Sequence, residues 1–294
     1  MYLFKKIEEL TILHNDSRRS IGEFLLSHRS EIHEYTMDEI AKETYTSKAS
    51  LVRFGQQLGF SGWTEFIYEF INETVSSSTN NENYIDPDFP FTAQDDTSTI
   101  IERISLLQSQ SIQETVANLK IKDVEKAAKI LLDSNRIAIF GNIPNAHYGE
   151  IFTRKLITIN KNAHVYRRGE SGIIALNLTP EDCALFISYS GNNENSDPLK
   201  NIQYLVRKKV PIVSITSVGE NYLSTNADVS LRIGGIERLT SKISNFSSEQ
   251  SILTILNILY AKIFSFHYEE NKEHTIKNSY ILEKNTRESN YIES

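Results

Sequence analysis

Between Cys183 and Asn193 the chain reads Cys-Ala-Leu-Phe-Ile-Ser-Tyr-Ser-Gly-Asn-Asn, an apolar run of strand length that stops at small hydroxyl residues, a glycine and two amides. A helical segment is expected to start near Glu194. A strand emptying into a polar loop at a helix start offers backbone N–H groups, the positive end of a helix dipole and the hydroxyls of Ser188 and Ser190, all suited to holding an anion. A phosphate fits such a loop. A second stretch of chemical interest is Ser47 to Leu58. On a helical wheel it places Leu51, Phe54 and Leu58 on one flank and Ala49, Ser50, Arg53, Gln56 and Gln57 on the other. Serine, arginine and glutamine on a free helix face can hydrogen-bond base edges or phosphates in a major groove.

The elements that must position these residues are legible from period and punctuation. From Arg18 to about Asn72 apolar residues recur at helical spacing, which predicts a small helical bundle. Thr36-Met-Asp-Glu39 is a capping box and Ser47 a natural N-cap, so two short helices meet across a tight connection, as in a helix-turn-helix. Residues 76–98 are polar, contain prolines and lack a period, and are expected to be a linker. Helices are expected at Ile100–Leu119 and Val124–Leu132. Five strands follow, at Arg136–Phe140, Ala163–Arg167, Cys183–Ser188, Pro211–Thr216 and Val229–Ile233. Helical stretches at His147–Ile159, Ser171–Leu178, Asn195–Lys208 and near Leu223 separate them. That alternation predicts an α/β fold with a five-stranded parallel sheet flanked by helices. Ligands in such sheets sit beyond the carboxyl ends of the strands, which selects the loops after the first and third strands. An apolar helix from Ile252 to about Phe266 and a polar, partly helical tail over 267–294 complete the chain.

Ser188-Tyr-Ser-Gly-Asn-Asn193 resembles the Ser-x-Ser-Gly-x-Thr loop of the sugar isomerase (SIS) domain, and the likeness extends over about residues 99–266. Ser47-Lys-Ala-Ser-Leu-Val-Arg-Phe54 with Leu58-Gly-Phe-Ser-Gly-Trp63 and Phe66 resembles the N-terminal helix-turn-helix of RpiR-type transcriptional regulators, which in that family precedes a SIS domain. The resemblance implies an N-terminal all-α DNA-binding domain at 1–75 and a SIS domain that senses a phosphorylated sugar. It assigns Lys42, Ser47, Lys48, Ser50, Arg53 and Gln57 to DNA, and Gly141, Asn145, Ser188, Ser190, Gly191, Asn193 and Glu237 to the effector. Three positions depart from the family pattern. Ile143 stands for a glycine, Asn145 for a serine and Asn193 for a threonine, so two hydroxyls become amides, which still donate hydrogen bonds.

Composition bounds the alternatives. At 294 residues, 39% hydrophobic and 23% charged, the chain can build two ordinary domains. Its one cysteine, Cys183, excludes a disulfide framework and a cysteine metal site, and a reducing cytoplasm is the expected compartment. Neither a secretory leader nor a membrane span is legible. The net charge is −7, and residues 1–75 carry eight Lys and Arg against twelve Asp and Glu, a net −4. DNA affinity must then rest on Lys42, Lys48 and Arg53 presented together and doubled in a homodimer or larger homo-oligomer reading an inverted repeat. No cofactor, metal or catalytic residue is expected. A sugar-phosphate isomerase is the alternative, with Glu170, Glu237, His147 and His164 as acid/base candidates. A SIS scaffold without a ligand is the third reading.

Overall fold

The computed structural model describes residues 2–29, 31–78, 85–167, 169–234 and 237–287. Parts of the expected linker (79–84) and tail (288–294) lie outside them. The chain divides into two compact units. One comprises Met1–Ser109 with Ile236–Ser247, the other Gln110–Gly235 with Ser248–Ser294.

The first unit is helical: α1 (Tyr2–Leu13), α2 (Ser17–Ser27), a 3₁₀ turn at Ile32–Glu34, α3 (Met37–Glu43), α4 (Lys48–Gln57) and α5 (Trp63–Ser78), with the start of α6 (Thr97–Asn118). Helix α1 was not read from the sequence, although Leu3, Phe4 and Ile7 sit at helical spacing and are buried. Helix α5 continues to Ser78, past the expected start of the linker. Local chemistry sets the helix starts. Asp16 accepts from Arg18 N at α2, and Thr36 and Glu39 form the reciprocal capping box at α3. Ser47 accepts from Ser50 N at α4. Ile7, Ile21, Leu25, Ile40, Leu51, Phe54, Phe66 and Phe70 close a single core, with Phe54 and Phe66 edge to face at 5.7 Å. The segment 237–247, which follows the last sheet strand in sequence, packs in this unit. The Glu8 carboxylate accepts the N–H groups of Leu239, Thr240 (2.9 Å) and Ser241 (3.1 Å), and Asp88 accepts Arg238 N–H at 2.7 Å. Burial pushes the Asp88 carboxyl up to about 7.

The second unit contains the rest of α6, then α7 (Ile121–Asp133), β1 (Ile137–Phe140), α8 (Asn145–Ile157), β2 (Ala163–Tyr166), α9 (Ser171–Asn177) and β3 (Cys183–Ile187). After these come α10 (Ile202–Arg207), β4 (Ile212–Ser217), α11 (Tyr222–Asn226), β5 (Val229–Ile233), α12 (Phe246–Ser265) and α13 (Tyr268–Arg287). All five strands pair in parallel in the order β2-β1-β3-β4-β5. Alternation along the strands divides the core into two layers. Ile137 and Ile139 with Leu185, Val213 and Leu231 face α7, α8 and α12; Ala138, Phe140, Ala184 and Phe186 face α9, α10 and α11. Cys183 is buried inside β3, and burial pushes its thiol up to about 12, which removes it from any reactive role. No helix among the described residues is long and apolar enough to cross a membrane.

Candidate functional site

The chain runs from β1 outward to β2 and then returns past β1 to β3, so strand order reverses between β1 and β3. That is where an open α/β sheet leaves a crevice at its carboxyl edge. Phe140 pairs with Phe186 across this boundary, so Gly141 to Asn145 and Ser188 to Asn193 leave the sheet side by side. The two loops are tied together by Asn142 Nδ2, which donates to Asp197 O at 3.0 Å.

The structure corrects two expectations here. The helix after β3 does not start near Glu194 or Asn195. Residues 194–198 are turns, a 3₁₀ turn occupies Leu199–Asn201, and α10 begins at Ile202. Pro198 is the reason, because proline disfavours helical backbone in the residue before it and breaks the run that the apolar spacing implied. The helix that starts at the crevice is α8, thirteen residues long and opening at Asn145 immediately beyond the β1 loop. The favourable dipole at this edge therefore follows β1. The second concerns the backbone N–H groups the loop was expected to offer an anion, of which that of Gly191 donates to Ser188 Oγ at 3.3 Å.

What holds the Ser188 loop was not legible in the sequence. Gly191 has φ +67 and passes so close to Asn221 and Thr216 that a Cβ would lie 2.6 Å from Asn221 Cγ and 2.7 Å from Thr216 Oγ1. Asn221 Nδ2 donates to Thr216 Oγ1 (3.1 Å), Leu223 N–H to Gly191 O (2.8 Å) and Tyr222 N–H to Asn192 Oδ1 (3.1 Å). The loop is thereby fastened to β4 and α11. Asn193 remains exposed at its tip, and Ser188 and Ser190 are half-buried.

A second clamp is built on Asp197. Its carboxylate accepts from Ser171 Oγ, from Gly169 N–H at 2.9 Å and from Asn201 Nδ2 at 3.2 Å, and Asn201 also donates to Ser171 Oγ at 2.8 Å. Ser171, Asp197 and Asn201 are all buried. With the Asn142 bond, this network pins the loops after β1, β2 and β3 to one another. Burial pushes the Asp197 carboxyl up, but the hydrogen bonds from Ser171 and Gly169, the Lys200 charge and Asn201 outweigh it and hold it below its ordinary value. An ionised, fully bonded carboxylate suits a structural clamp.

Glu237 belongs to the first unit. It is buried, its carboxylate accepting from Lys242 Nζ at 3.0 Å and from Ser247 N–H near the start of α12. Of the acid/base candidates, His164 and Glu170 line one surface pocket together with Glu150 and Arg167. His147 faces Glu150 at 3.4 Å on the exposed side of α8, and Glu170 accepts Arg167 N–H at 3.0 Å. His164 is exposed on β2.

In the first unit, α3 and α4 are joined by residues 44–47. Leu51, Phe54 and Leu58 are buried, while Ser47, Lys48, Ala49, Arg53, Gln56 and Gln57 are exposed, as is Lys42 on α3. Ser47 Oγ and Ser50 Oγ lie 3.0 Å apart, and Arg53 Nη2 donates to Ser50 Oγ at 3.3 Å, so the face carries a linked polar ridge. Lys48 Nζ is 2.7 Å from Asp38, an exposed pair that a phosphate can displace at little cost. We expect Arg53→Ala to leave the fold intact and to weaken binding to a selected duplex by roughly 1–3 kcal/mol with relaxed preference at one base position. Unchanged affinity at fixed salt would make this face an ordinary solvated one.

Comparison with known proteins agrees with this architecture. The profile of the helix-turn-helix domain of the rpiR family matches residues 1–77 and that of the SIS domain residues 130–259. An uncharacterised HTH-type transcriptional regulator of Caldanaerobacter subterraneus is 25% identical over 90% of this chain and 91% of its own length. Another, from Haemophilus influenzae, is 24% identical over 83% and 84%. Among solved structures, the Vibrio vulnificus NanR protein complexed with ManNAc-6P superposes with a TM-score of 0.58 at 17% identity, covering 95% of this chain and 97% of that one. The sugar isomerase domain of an RpiR transcription factor from Sphaerobacter thermophilus gives a TM-score of 0.53 at 14% identity, covering 61% and 98%. The likeness to both structures is one of fold. The chain therefore carries, in order, a helix-turn-helix domain of the rpiR family and a SIS domain, the organisation of an RpiR-type transcriptional regulator, and its full-length relatives are named HTH-type transcriptional regulators.

Proposed function

We propose that this regulator controls genes of sugar metabolism in the cytoplasm, binding operator DNA through α4 and sensing a phosphorylated sugar, without turning it over, at the β1–β3 crevice. One observation carries the reading: a polar, hydroxyl-bearing loop sits at the strand-order reversal beside the start of α8, in a chain whose other unit is a helix-turn-helix. That the Vibrio vulnificus relative in fold was solved with ManNAc-6P supports the choice of ligand class. Ser188, Ser190 and the Gly141–Asn145 loop surround the phosphate, and Asn145 and Asn193 supply amide donors where the family has hydroxyls, which favours a sugar with an additional acceptor such as an acetamido group.

Calorimetric titration with glucose 6-phosphate, glucosamine 6-phosphate and ManNAc-6P tests this. Binding of at least one is expected, and Ser190→Ala should weaken it about tenfold by removing a hydrogen bond to a charged acceptor. No binding by the wild type, or equal binding by Ser190→Ala, would leave the SIS domain as a scaffold.

A homodimer or a larger symmetric oligomer is the expected assembly, reading an inverted repeat whose half-sites lie about one helical turn, or a multiple of it, apart. Sedimentation of a monomer that binds a single half-site tightly would contradict it.

A further inference from the structure

We propose that Tyr45, in the turn between α3 and α4, is a DNA-contacting residue whose hydroxyl bonds a phosphate at the edge of the major groove entered by α4. The inference rests on the DNA-binding reading of the helix-turn-helix and adds to it a residue that the family resemblance does not assign.

Three observations carry it. Tyr45 is 97% exposed, the most exposed of the large apolar or aromatic residues among those described. An aromatic ring left in water gains nothing for the folded chain. Its backbone is also in the left-handed region, with φ +53. Glycine adopts that conformation without strain, whereas a side chain there carries a conformational cost. The position is therefore occupied by a residue that is poor for the turn and useless to the core. Finally, the turn is rigid on both sides of it. Tyr45 N–H donates to Lys42 O at 3.1 Å and Thr46 N–H to Ala41 O at 2.8 Å. The buried Thr44 hydroxyl donates to Ile40 O at 2.7 Å and lies 2.9 Å from Thr46 Oγ1. The ring is thus carried on a fixed support two residues before the N-cap of α4.

That location decides the partner. In a helix-turn-helix the N-terminal residues of the second helix meet base edges, and the chain leading into it runs beside the sugar–phosphate backbone. Tyrosine is among the side chains that bond phosphate oxygens from such positions. Lys42 and Lys48 flank it on either side in sequence and are exposed, with Glu43 beside Lys42 and Asp38 2.7 Å from Lys48 Nζ. Tyr45 supplies an uncharged phosphate contact where cations are scarce.

The test uses the full-length chain and duplexes it enriches from a random-sequence library, with affinity measured over a range of salt. Tyr45→Phe should bind about tenfold more weakly than the wild type, as loss of a hydrogen bond to a charged acceptor implies, with an unchanged slope of log affinity against log salt. Lys48→Ala, in contrast, should reduce that slope by about one. Tyr45→Gly should bind at least as weakly as Tyr45→Phe while melting at the same temperature as the wild type or higher, because the backbone strain is relieved. A structural role would instead move stability and affinity down together. Equal affinity of Tyr45→Phe and wild type, or a lower melting temperature for Tyr45→Gly, overturns the assignment. Failure of the wild type to enrich any duplex overturns the DNA-binding reading itself.

Discussion

Gly191→Ala is expected to destabilise the sheet unit by about 3 kcal/mol and to lower affinity for a phosphosugar with it. Two effects add. Alanine at φ +67 is strained by the left-handed conformation itself, and its Cβ would come within 2.6 Å of Asn221 Cγ and 2.7 Å of Thr216 Oγ1. Asn221 cannot swing aside cheaply, because its Oδ1 accepts Ser224 N–H at 2.9 Å as the N-cap of α11. Gly169 provides the control. It too is left-handed, with φ +96, but a Cβ there meets nothing within 4 Å, so Gly169→Ala should cost only about 1 kcal/mol. Thermal melts of the two variants check this. In a unit of this size a loss of about 3 kcal/mol corresponds to roughly 6–12 °C. Equal melting temperatures for both would show that the loop is not fastened through Asn221.

Asp197→Ala should be of comparable severity, about 3 kcal/mol, because the buried Ser171 and Asn201 and the Gly169 N–H lose a shared acceptor. It should also weaken ligand binding, since the loops after β1, β2 and β3 are joined through this carboxylate. The pH dependence has a defined sign. The folded carboxyl is held below its ordinary value of 3.8, so its stabilisation is complete above that value and is lost as the pH falls from there through the lower folded value. Acid titration of unfolding in wild type and Asp197→Asn should show a constant difference above about pH 4 that shrinks progressively over the acid range below it. A constant difference across that range would mean that Asp197 is not ionised in the fold.

Much of the architecture was legible because it is local. Each strand was readable to within about a residue as an apolar run bounded by turn residues, and the N-caps at Thr36 and Ser47 announce themselves by type and spacing. The failures have physical reasons. The helix after β3 was placed too early because the apolar spacing outweighed Pro198 in the reading but not in the chain. Glu8 holding residues 239–241 and Asp197 holding Gly169 and Ser171 are tertiary hydrogen bonds, and Asn221 against Gly191 is a close packing contact, between residues tens to hundreds of positions apart, for which no periodicity exists. The partners of Glu237, Lys242 and the Ser247 N–H, are likewise set by the fold and not by any spacing in the sequence. The candidate binding loop is therefore easier to find in a sequence than the residues that hold it in place.

The regulator reading is tested most directly by the affinity of the intact chain for its enriched duplex, measured with and without saturating phosphosugar at constant salt. Linkage between a sensing unit and a DNA-binding unit should shift that affinity by roughly 5–150-fold for at least one of glucose 6-phosphate, glucosamine 6-phosphate and ManNAc-6P, in either direction. DNA affinity that stays the same with a phosphosugar demonstrably bound would contradict it.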